Sequence, residues 1–393
     1  MKSKCSPKLV RITTVPISLQ KLISGQMKFM SKNGFEVYMI SSPFNESTIL
    51  EQNEESVFIG LDMTRTISPL KDLVALFKLT KLLRKLKPDI VHTHTPKAGI
   101  LGMIASYLAK VPVRLHTVAG LPLMEADGFK RILLETVEKF TYLACTKVYP
   151  NSKSLAEFII NSKLCKPGKI KVLGNGSSNG INTESFKKND DLMGKALLIK
   201  QDLNILPEDF VFIFIGRVVR DKGLHELIEA FKKISTNQPK VKLLLVGPTE
   251  PDLDPLDKEC LREIHENRNI LSVGYQADVR PYLVLSQALV FPSYREGFPN
   301  VPMQAGCFEL PSIVSDINGC NEIIVDGKNG LIVPVKDSKA LFEGMVRMLK
   351  ENDLYFNMKT NARPMIVDRY EQRVIWDLML QEYKDQLIRY EKL

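Results

Sequence analysis

The chain has 393 residues, more than one compact domain ordinarily uses, and its 44% hydrophobic and 25% charged residues are those of an ordinary globular protein, so two domains are expected. Its six cysteines (Cys5, Cys145, Cys165, Cys260, Cys307, Cys320) form no CxxC pair and no His/Cys cluster at ligand spacing, so neither a disulfide framework nor a zinc site is suggested and a reducing cytosol fits best. The net charge of +9 is uneven: residues 1–186 carry 26 Lys and Arg against 14 Asp and Glu (+12), residues 187–393 carry 28 against 31 (−3). A basic first half attracts anionic lipid, a phosphorylated substrate or nucleic acid, and the absence of a nucleic-acid motif excludes the last. A solvated basic surface without a partner is the competing reading.

Lys2 and Lys4 precede Leu9 to Val15, where Arg11 and two threonines stand in place of the apolar stretch of a signal peptide, so the segment reads as a first strand. The longest nearly uncharged run, Ala98 to Ala109, falls short of the roughly 20 residues that span a bilayer and reads as a buried helix. Short β-rich runs then alternate with amphipathic stretches, the pattern of parallel sheets covered by helices. In the first half strands are predicted at Lys8–Thr14, Phe35–Ile40, Ser56–Ile59, Asp89–His92, Val113–Val118, Lys147–Pro150 and Ile170–Leu173. Between them, Leu70–Lys87 is a basic helix whose apolar residues Leu70, Leu73, Val74, Phe77, Leu82 and Leu86 are expected in the core.

Gly174 to Asn182 is rich in Gly, Asn and Ser and marks the hinge. Beyond it strands are predicted at Phe210–Ile215, Val241–Val246, Ile270–Val273, Ala288–Phe291, Ser312–Ser315 and Leu331–Val333. Arg369–Leu393 reads as one final helix with Tyr370, Val374, Leu378 and Met379 inward, packing back onto the first domain.

Two loops carry chemistry. Phe210–Ile215 runs into Gly216-Arg217 and, four residues on, Lys222-Gly223 before a helical pattern. The glycine lets backbone approach a ligand, and two cations beside a helix N-terminus outline a diphosphate site. Ala288–Phe291 runs into Ser293, Glu296-Gly297-Phe298-Pro299-Asn300, with Gln304 one turn into the next helix. Loop amides and that helix N-terminus suit further phosphate oxygens, and Glu296 accepts from sugar hydroxyls. His92 and His94 alternate onto one face but lack a third ligand for a metal. Asn151 and Ser152 read as helix caps.

The pair Gly216-Arg217-x4-Lys222-Gly223 and Ser293-x2-Glu296-Gly297-Phe298-Pro299, about 80 residues apart, resembles glycosyltransferase family 4 of the GT-B fold, and the match extends through Asn318 to Ile324 and Gly327 to Leu331. His92 to Gly99 and Gly176 to Ile181 resemble the bacterial subgroup that builds capsule, O-antigen and related lipid-linked glycans. The resemblance implies two Rossmann-like α/β domains facing across a cleft, residues 1–180 binding the acceptor and 181–365 the nucleotide sugar, with 366–393 returning to the first domain. It implies a retaining transfer of a hexosyl or N-acetylhexosaminyl group from a nucleotide-diphosphate sugar, with uridine expected as the base and guanosine as runner-up. No cofactor and no metal are expected.

In this reading Arg217 and Lys222 neutralise the diphosphate and Glu296 meets the donor sugar. Gly216, Gly274, Gly297, Phe298, Pro299 and Asn300 line the donor site, and Gly25 stands where relatives carry a glycine-rich phosphate loop. Gln304 occupies the second position of the family's Glu-x7-Glu motif, so an amide replaces the carboxylate that accepts from both ribose hydroxyls. His116, or Ala119 in the other register, matches a histidine facing the reaction centre. Lys97, Lys130 and Arg131 are expected at a polyprenyl-pyrophosphate-linked acceptor or at anionic headgroups, with the protein peripheral on the cytoplasmic face of the plasma membrane. The alternatives are a nucleotide-sugar 2-epimerase of the same fold, which would turn over donor without acceptor, and a non-catalytic sugar-binding protein, which would ordinarily carry a secretion signal.

Overall fold

The computed structural model describes residues 6–391 apart from 65, 67 and 251–253, so Lys2, Lys4 and Cys5 lie outside the described residues. The chain forms two units, Met1–Gly180 with Gln372–Leu393, and Ile181–Glu371. The first runs β1 (Lys8–Ile12), α1 (Pro16–Leu22), α2 (Gln26–Lys32), β2 (Glu36–Ser41), α3 (Ser47–Glu54), β3 (Val57–Gly60), α4 (Pro69–Leu86), β4 (Ile90–His94), α5 (Pro96–Leu108), β5 (Val113–Val118), α6 (Gly128–Ala144), β6 (Lys147–Pro150) and α7 (Lys153–Asn161). The second runs α8 (Asp190–Asp202), β7 (Phe210–Ile215), α9 (Leu224–Ser235), β8 (Val241–Val246), α10 (Lys258–Glu266), β9 (Ile270–Ser272), α11 (Arg280–Leu285) and β10 (Ala288–Phe291). It continues with α12 (Asn300–Cys307), β11 (Ser312–Ser315), α13 (Cys320–Ile323), β12 (Gly330–Val333), α14 (Ser338–Lys350) and α15 (Asn352–Tyr370), and α16 (Gln372–Glu391) belongs to the first unit.

Each unit holds one parallel six-stranded sheet, in the orders β3-β2-β1-β4-β5-β6 and β12-β11-β10-β7-β8-β9. Both are doubly wound: the strand order reverses between β1 and β4 in the first and between β7 and β10 in the second, and such switch points are where α/β sheets hold ligands. Helices cover both faces, so strands such as β7, Phe-Val-Phe-Ile-Phe-Ile, are apolar at every position. Phe212 and Phe214 enter the core beneath α9 and α14, whereas Val211, Ile213 and Ile215 enter that beneath α12 and α15. Along β1, Val10 and Ile12 face α4 and α5 while Leu9 faces α2 and α16.

Three expectations need correction. Ile170–Leu173 is no strand; Ile170 makes one parallel bridge to Val148, with the Lys171 amide donating to Val148 O. The next donor in that ladder would be Pro150, which has no N–H. In α4 the core takes Ala75, Leu79 and Leu83, and Leu70, Leu73, Val74 and Phe77 are exposed on the other side of the helix.

The final helix is also not continuous. Glu371 is extended (φ −52°, ψ 129°), its carboxylate accepts from the Thr183 amide and hydroxyl, and it bridges Ile181, so both chain crossings between the units are side by side. The face of α16 that packs on the first unit carries Ile375, Met379 and Tyr383, while Val374 and Leu378 are exposed. Tyr370 is buried in the second unit.

Candidate functional site

In the second unit, β7 and β10 are neighbours at the switch point, and the loops leaving their C-terminal ends carry the two motifs. The β7 loop closes at Gly223 (φ +71°), which caps α9; a Cβ there would come within 2.1 Å of Pro292 O on the β10 loop, so only glycine lets the loops pack this closely. The Tyr294 amide donates to Asp221 O at 2.9 Å across the same seam. This apposition brings Lys222 Nζ to 2.5 Å from Glu296 Oε1, and Ser293 Oγ lies 3.0 Å from the same oxygen. Both side chains of the pair are half-buried at most a fifth exposed, 15% and 18%.

Arg217 stands on the same loop with its guanidinium 2.8 Å from Glu250 and 3.5 Å from Asp221. The hydrogen bond it donates to Glu250 raises its pKa above the ordinary arginine value, so it is a permanent cation. Asp221 also meets Arg295 at 3.3 Å and its amide donates to Asp254 at 2.6 Å. Glu250, Asp221 and Asp254 are the acidic frame of the loop that sequence reading missed; nothing in their local pattern distinguishes them from surface carboxylates.

Gly216 and Gly274 close the ends of β7 and β9 on either side of Gly247, whose amide donates to Gly274 O at 2.8 Å. Pro299 is the cap of α12, Asn300 is exposed at its first position and Gln304 is half-buried one turn on. Asn318 Nδ2 donates to Gly297 O at 2.6 Å, and a Cβ at Gly319 (φ +76°) would meet the same oxygen at 2.7 Å. The Asn-Gly dipeptide after β11 is the turn signal by which this support was findable. A separate cavity of about 350 Å³ adjoins Asp221, Tyr294 and Lys336, and its wall does not include Arg217, Lys222 or Glu296.

The first unit departs further from expectation. His116 is 3% exposed, with Nδ1 2.8 Å from Thr93 Oγ1, and Gly99 of α5 packs so closely on its ring that a Cβ would lie 2.5 Å away. Desolvation lowers its pKa to about 4. It is a neutral core histidine between β5 and α5, because that strand position points into the helix layer. Ala119, the other register, lies one residue beyond β5 and is partly exposed.

His92 and His94 do share a face, 4.3 Å apart between ring centroids, but both are buried towards α16. Tyr383 OH is 2.6 Å from His92 Nδ1 and accepts from Arg11 Nη1 at 2.7 Å, and His92 Nε2 reaches Thr117 Oγ1 at 2.8 Å. Desolvation, reinforced by the charge of Arg11, drives both histidine pKa values well down. Among the described residues no group of three or more His, Cys, Asp or Glu is arranged to hold a metal.

Gly25 has the positive φ (+82°) of a loop glycine, but its amide donates to Glu54 Oε1 at 2.6 Å, and Lys28 N reaches the other oxygen at 3.3 Å. The N-terminus of α2 thus already holds a carboxylate. Lys97 pairs with Asp72 at 2.5 Å and Arg131 with Glu135 at 3.1 Å, whereas Lys130 is exposed at the first turn of α6. Sequence reading missed the hydroxyl pair at this unit's switch point, Thr14 and Thr95, 2.8 Å apart, with Thr95 at the unusual φ of +101° for a β-branched residue. Ser152 caps α7 as expected, its side chain accepting from Leu155 N.

Residues 197–365 match the family model described as glycosyl transferases group 1, and residues 26–176 match one described as a glycosyl transferase 4-like domain. The chain is 34% identical over 370 residues to the capsular polysaccharide biosynthesis glycosyltransferase CapM of Staphylococcus aureus, covering 94% of this chain and 95% of that one. It is 30% identical over 369 residues to the UDP-Gal:alpha-D-GlcNAc-diphosphoundecaprenol alpha-1,3-galactosyltransferase of Escherichia coli, covering 92% and 93%. Anabaena Alr3699/HepE, solved in complex with UDP and glucose, shares the fold with a TM-score of 0.77 at 18% identity over 96% of this chain and all of that one.

Proposed function

Because the chain belongs to glycosyltransferase family 4, with the GT-B fold, and is a glycosyltransferase, we propose that it transfers a hexosyl or N-acetylhexosaminyl group from a UDP-sugar to a polyprenyl-diphosphate-linked glycan, with retention and without a metal. The observation that carries the donor reading is the convergence of Arg217, Lys222 and Glu296 at the switch point of the second unit. Two fixed cations at the N-terminal end of α9 stabilise the charge that grows on the departing nucleotide diphosphate, the work a divalent ion does elsewhere. Glu296, oriented by Lys222 and Ser293, accepts from donor-sugar hydroxyls, and the amides at the start of α12 take further oxygens. Gln304 offers one acceptor oxygen and an amide donor to the ribose.

In a same-face transfer the acceptor hydroxyl attacks the anomeric carbon as its bond to the diphosphate oxygen breaks, and the hydroxyl proton passes to that leaving oxygen. No protein base is required, in keeping with an inward His116 and with an amide at position 304. The E. coli relative acts, by its description, on a diphosphoundecaprenol-linked sugar, which supports the acceptor class. No helix among the described residues is long and apolar enough to cross a membrane. In this reading the basic first unit meets that acceptor against an anionic leaflet, on the cytoplasmic side.

The test is a thermal-shift comparison of UDP, GDP and ADP and their sugars, followed by transfer from the stabilising donor to a polyprenyl-diphosphate-linked sugar. Stabilisation by UDP-sugars with transfer supports the reading. Donor turnover to an epimer without any acceptor would replace it with the epimerase alternative.

A further inference from the structure

On the first unit, helices α4 and α6 expose large apolar side chains where solvent-facing helices carry charge. On the first turns of α4 these are Leu70 (82% exposed), Leu73 and Phe77 (71%), and on the first turns of α6 Phe129 (79%), Ile132 and Leu133. None serves the core, which α4 meets through Ala75, Leu79 and Leu83. Helices α4, α5 and α6 are the successive crossovers from β3 to β6, pack on one face of the sheet with α5 in contact with both others, and start at the C-terminal edge of the strands. The apolar ends of α4 and α6 therefore lie at the edge that carries the switch point between β1 and β4.

The charge on this face is mostly positive. Lys71, Lys78 and Lys81 of α4 and Lys130 of α6 are exposed, while Asp72 is paired with Lys97 and Glu135 with Arg131, and Asp127 at the cap of α6 is the exposed acid among them. An apolar arc edged by lysines is the pattern of a helix lying in a bilayer interface, with its aromatic and aliphatic groups below the phosphates and its ammonium groups among them. Electrostatics alone would need no exposed phenylalanine.

We propose that the first turns of α4 and α6 insert into the headgroup region of an anionic bilayer, so that the strand edge of the first unit is seated on the membrane by hydrophobic contact as well as by charge. This rests on the lipid-linked acceptor proposed above and names the residues that bring the enzyme to it. A second copy of the chain is the competing occupant, and apposing two faces of the same positive sign opposes it.

The full chain is sedimented with phosphatidylglycerol/phosphatidylcholine vesicles and with phosphatidylcholine alone, at low salt and at about 1 M salt, where the Debye length is about 3 Å. Binding to anionic vesicles that persists in large part at high salt is expected. Leu73→Ser with Phe77→Ser, and Phe129→Ser with Ile132→Ser, should each weaken it by about tenfold or more at both salts, with melting temperature and UDP affinity unchanged. Lys130→Gln with Arg131→Gln should weaken it at low salt only. Binding abolished by salt and indifferent to the apolar substitutions overturns insertion. So does a concentration-dependent dimer dispersed by Phe77→Ser in a protein that ignores vesicles. Transfer to a lipid-linked acceptor in detergent separates the two readings: transfer without vesicle binding overturns the membrane face and spares the activity, whereas the expected vesicle binding without transfer upholds the face and overturns the substrate.

Discussion

Lys222 and Glu296, 74 residues apart in sequence, meet at 2.5 Å because the loops after two adjacent parallel strands pack through Gly223. In the donor complex proposed above, phosphate oxygens join Glu296 around Lys222 and Glu250 around Arg217. Lys222→Ala and Arg217→Ala are each expected to lower kcat/KM by about 2 to 4 kcal/mol of transition-state stabilisation. The Arg217 side chain is 39% exposed, so its loss should spare folding. Steady-state kinetics on the folded variants check this, and near-normal activity in either one removes that residue from the diphosphate site.

Activity is expected to persist in excess EDTA, since side-chain cations and helix N-termini supply the compensating charge. Loss on chelation that Mn²⁺ or Mg²⁺ restores would show that a metal takes part.

Gln304 lies half-buried on α12, one turn from the loop that carries Glu296. Gln304→Glu should keep activity and bind nucleotide at least as tightly, because a carboxylate of the same length accepts from both ribose hydroxyls. Gln304→Ala should weaken UDP by about 1 kcal/mol, the worth of an ordinary hydrogen bond. Calorimetric titration with UDP measures both, and unchanged affinity in the two variants makes Gln304 a helix residue only.

Tyr383 joins α16 to the first unit by bonding both buried Arg11 and His92. Tyr383→Phe removes the hydroxyl and leaves a fully buried guanidinium short of a partner, at an expected cost of about 2 to 3 kcal/mol. Trp376, the only tryptophan, packs on Phe29 in the same unit and reports its unfolding in denaturant by fluorescence. A change under about 0.5 kcal/mol, the scatter of neutral surface substitutions, would make the contact incidental.

His116, neutral in the native core with a pKa of about 4, takes up a proton near pH 6.5 once unfolded. Above pH 6.5 neither state is protonated and stability is unaffected. As pH falls from about 6.5 to about 4 only the unfolded state gains the proton, so stability drops, by about 3 kcal/mol for this residue, and the loss is complete below the native pKa. Melting temperatures from pH 7.5 to 4.5 should therefore fall less steeply for His116→Gln than for the parent chain. Parallel slopes would mean that His116 titrates normally in the folded state.

Local pattern carried most of the architecture. Uninterrupted apolar runs such as Phe210–Ile215 suit strands buried on both faces, and the glycines and cations that follow them mark the two loops that meet at the switch point. What local pattern could not decide is which of two faces meets a neighbour. The apolar side of α4 from Leu70 to Phe77 has helical spacing as good as that of Ala75, Leu79 and Leu83, and only the packing of α4 on the sheet and α5 turns the first set outward. That His116 packs under Gly99, and that the Gly25 amide meets Glu54, is likewise invisible in their own neighbourhoods of sequence. Ile170–Leu173 has strand composition, yet its would-be partner Pro150 lacks the hydrogen that a ladder needs. Periodicity and turn chemistry are properties of a few consecutive residues, so the sequence alone determined the elements and the loops between them; burial, hydrogen-bond partners and protonation depend on residues tens to hundreds of positions away, and those the tertiary structure decided.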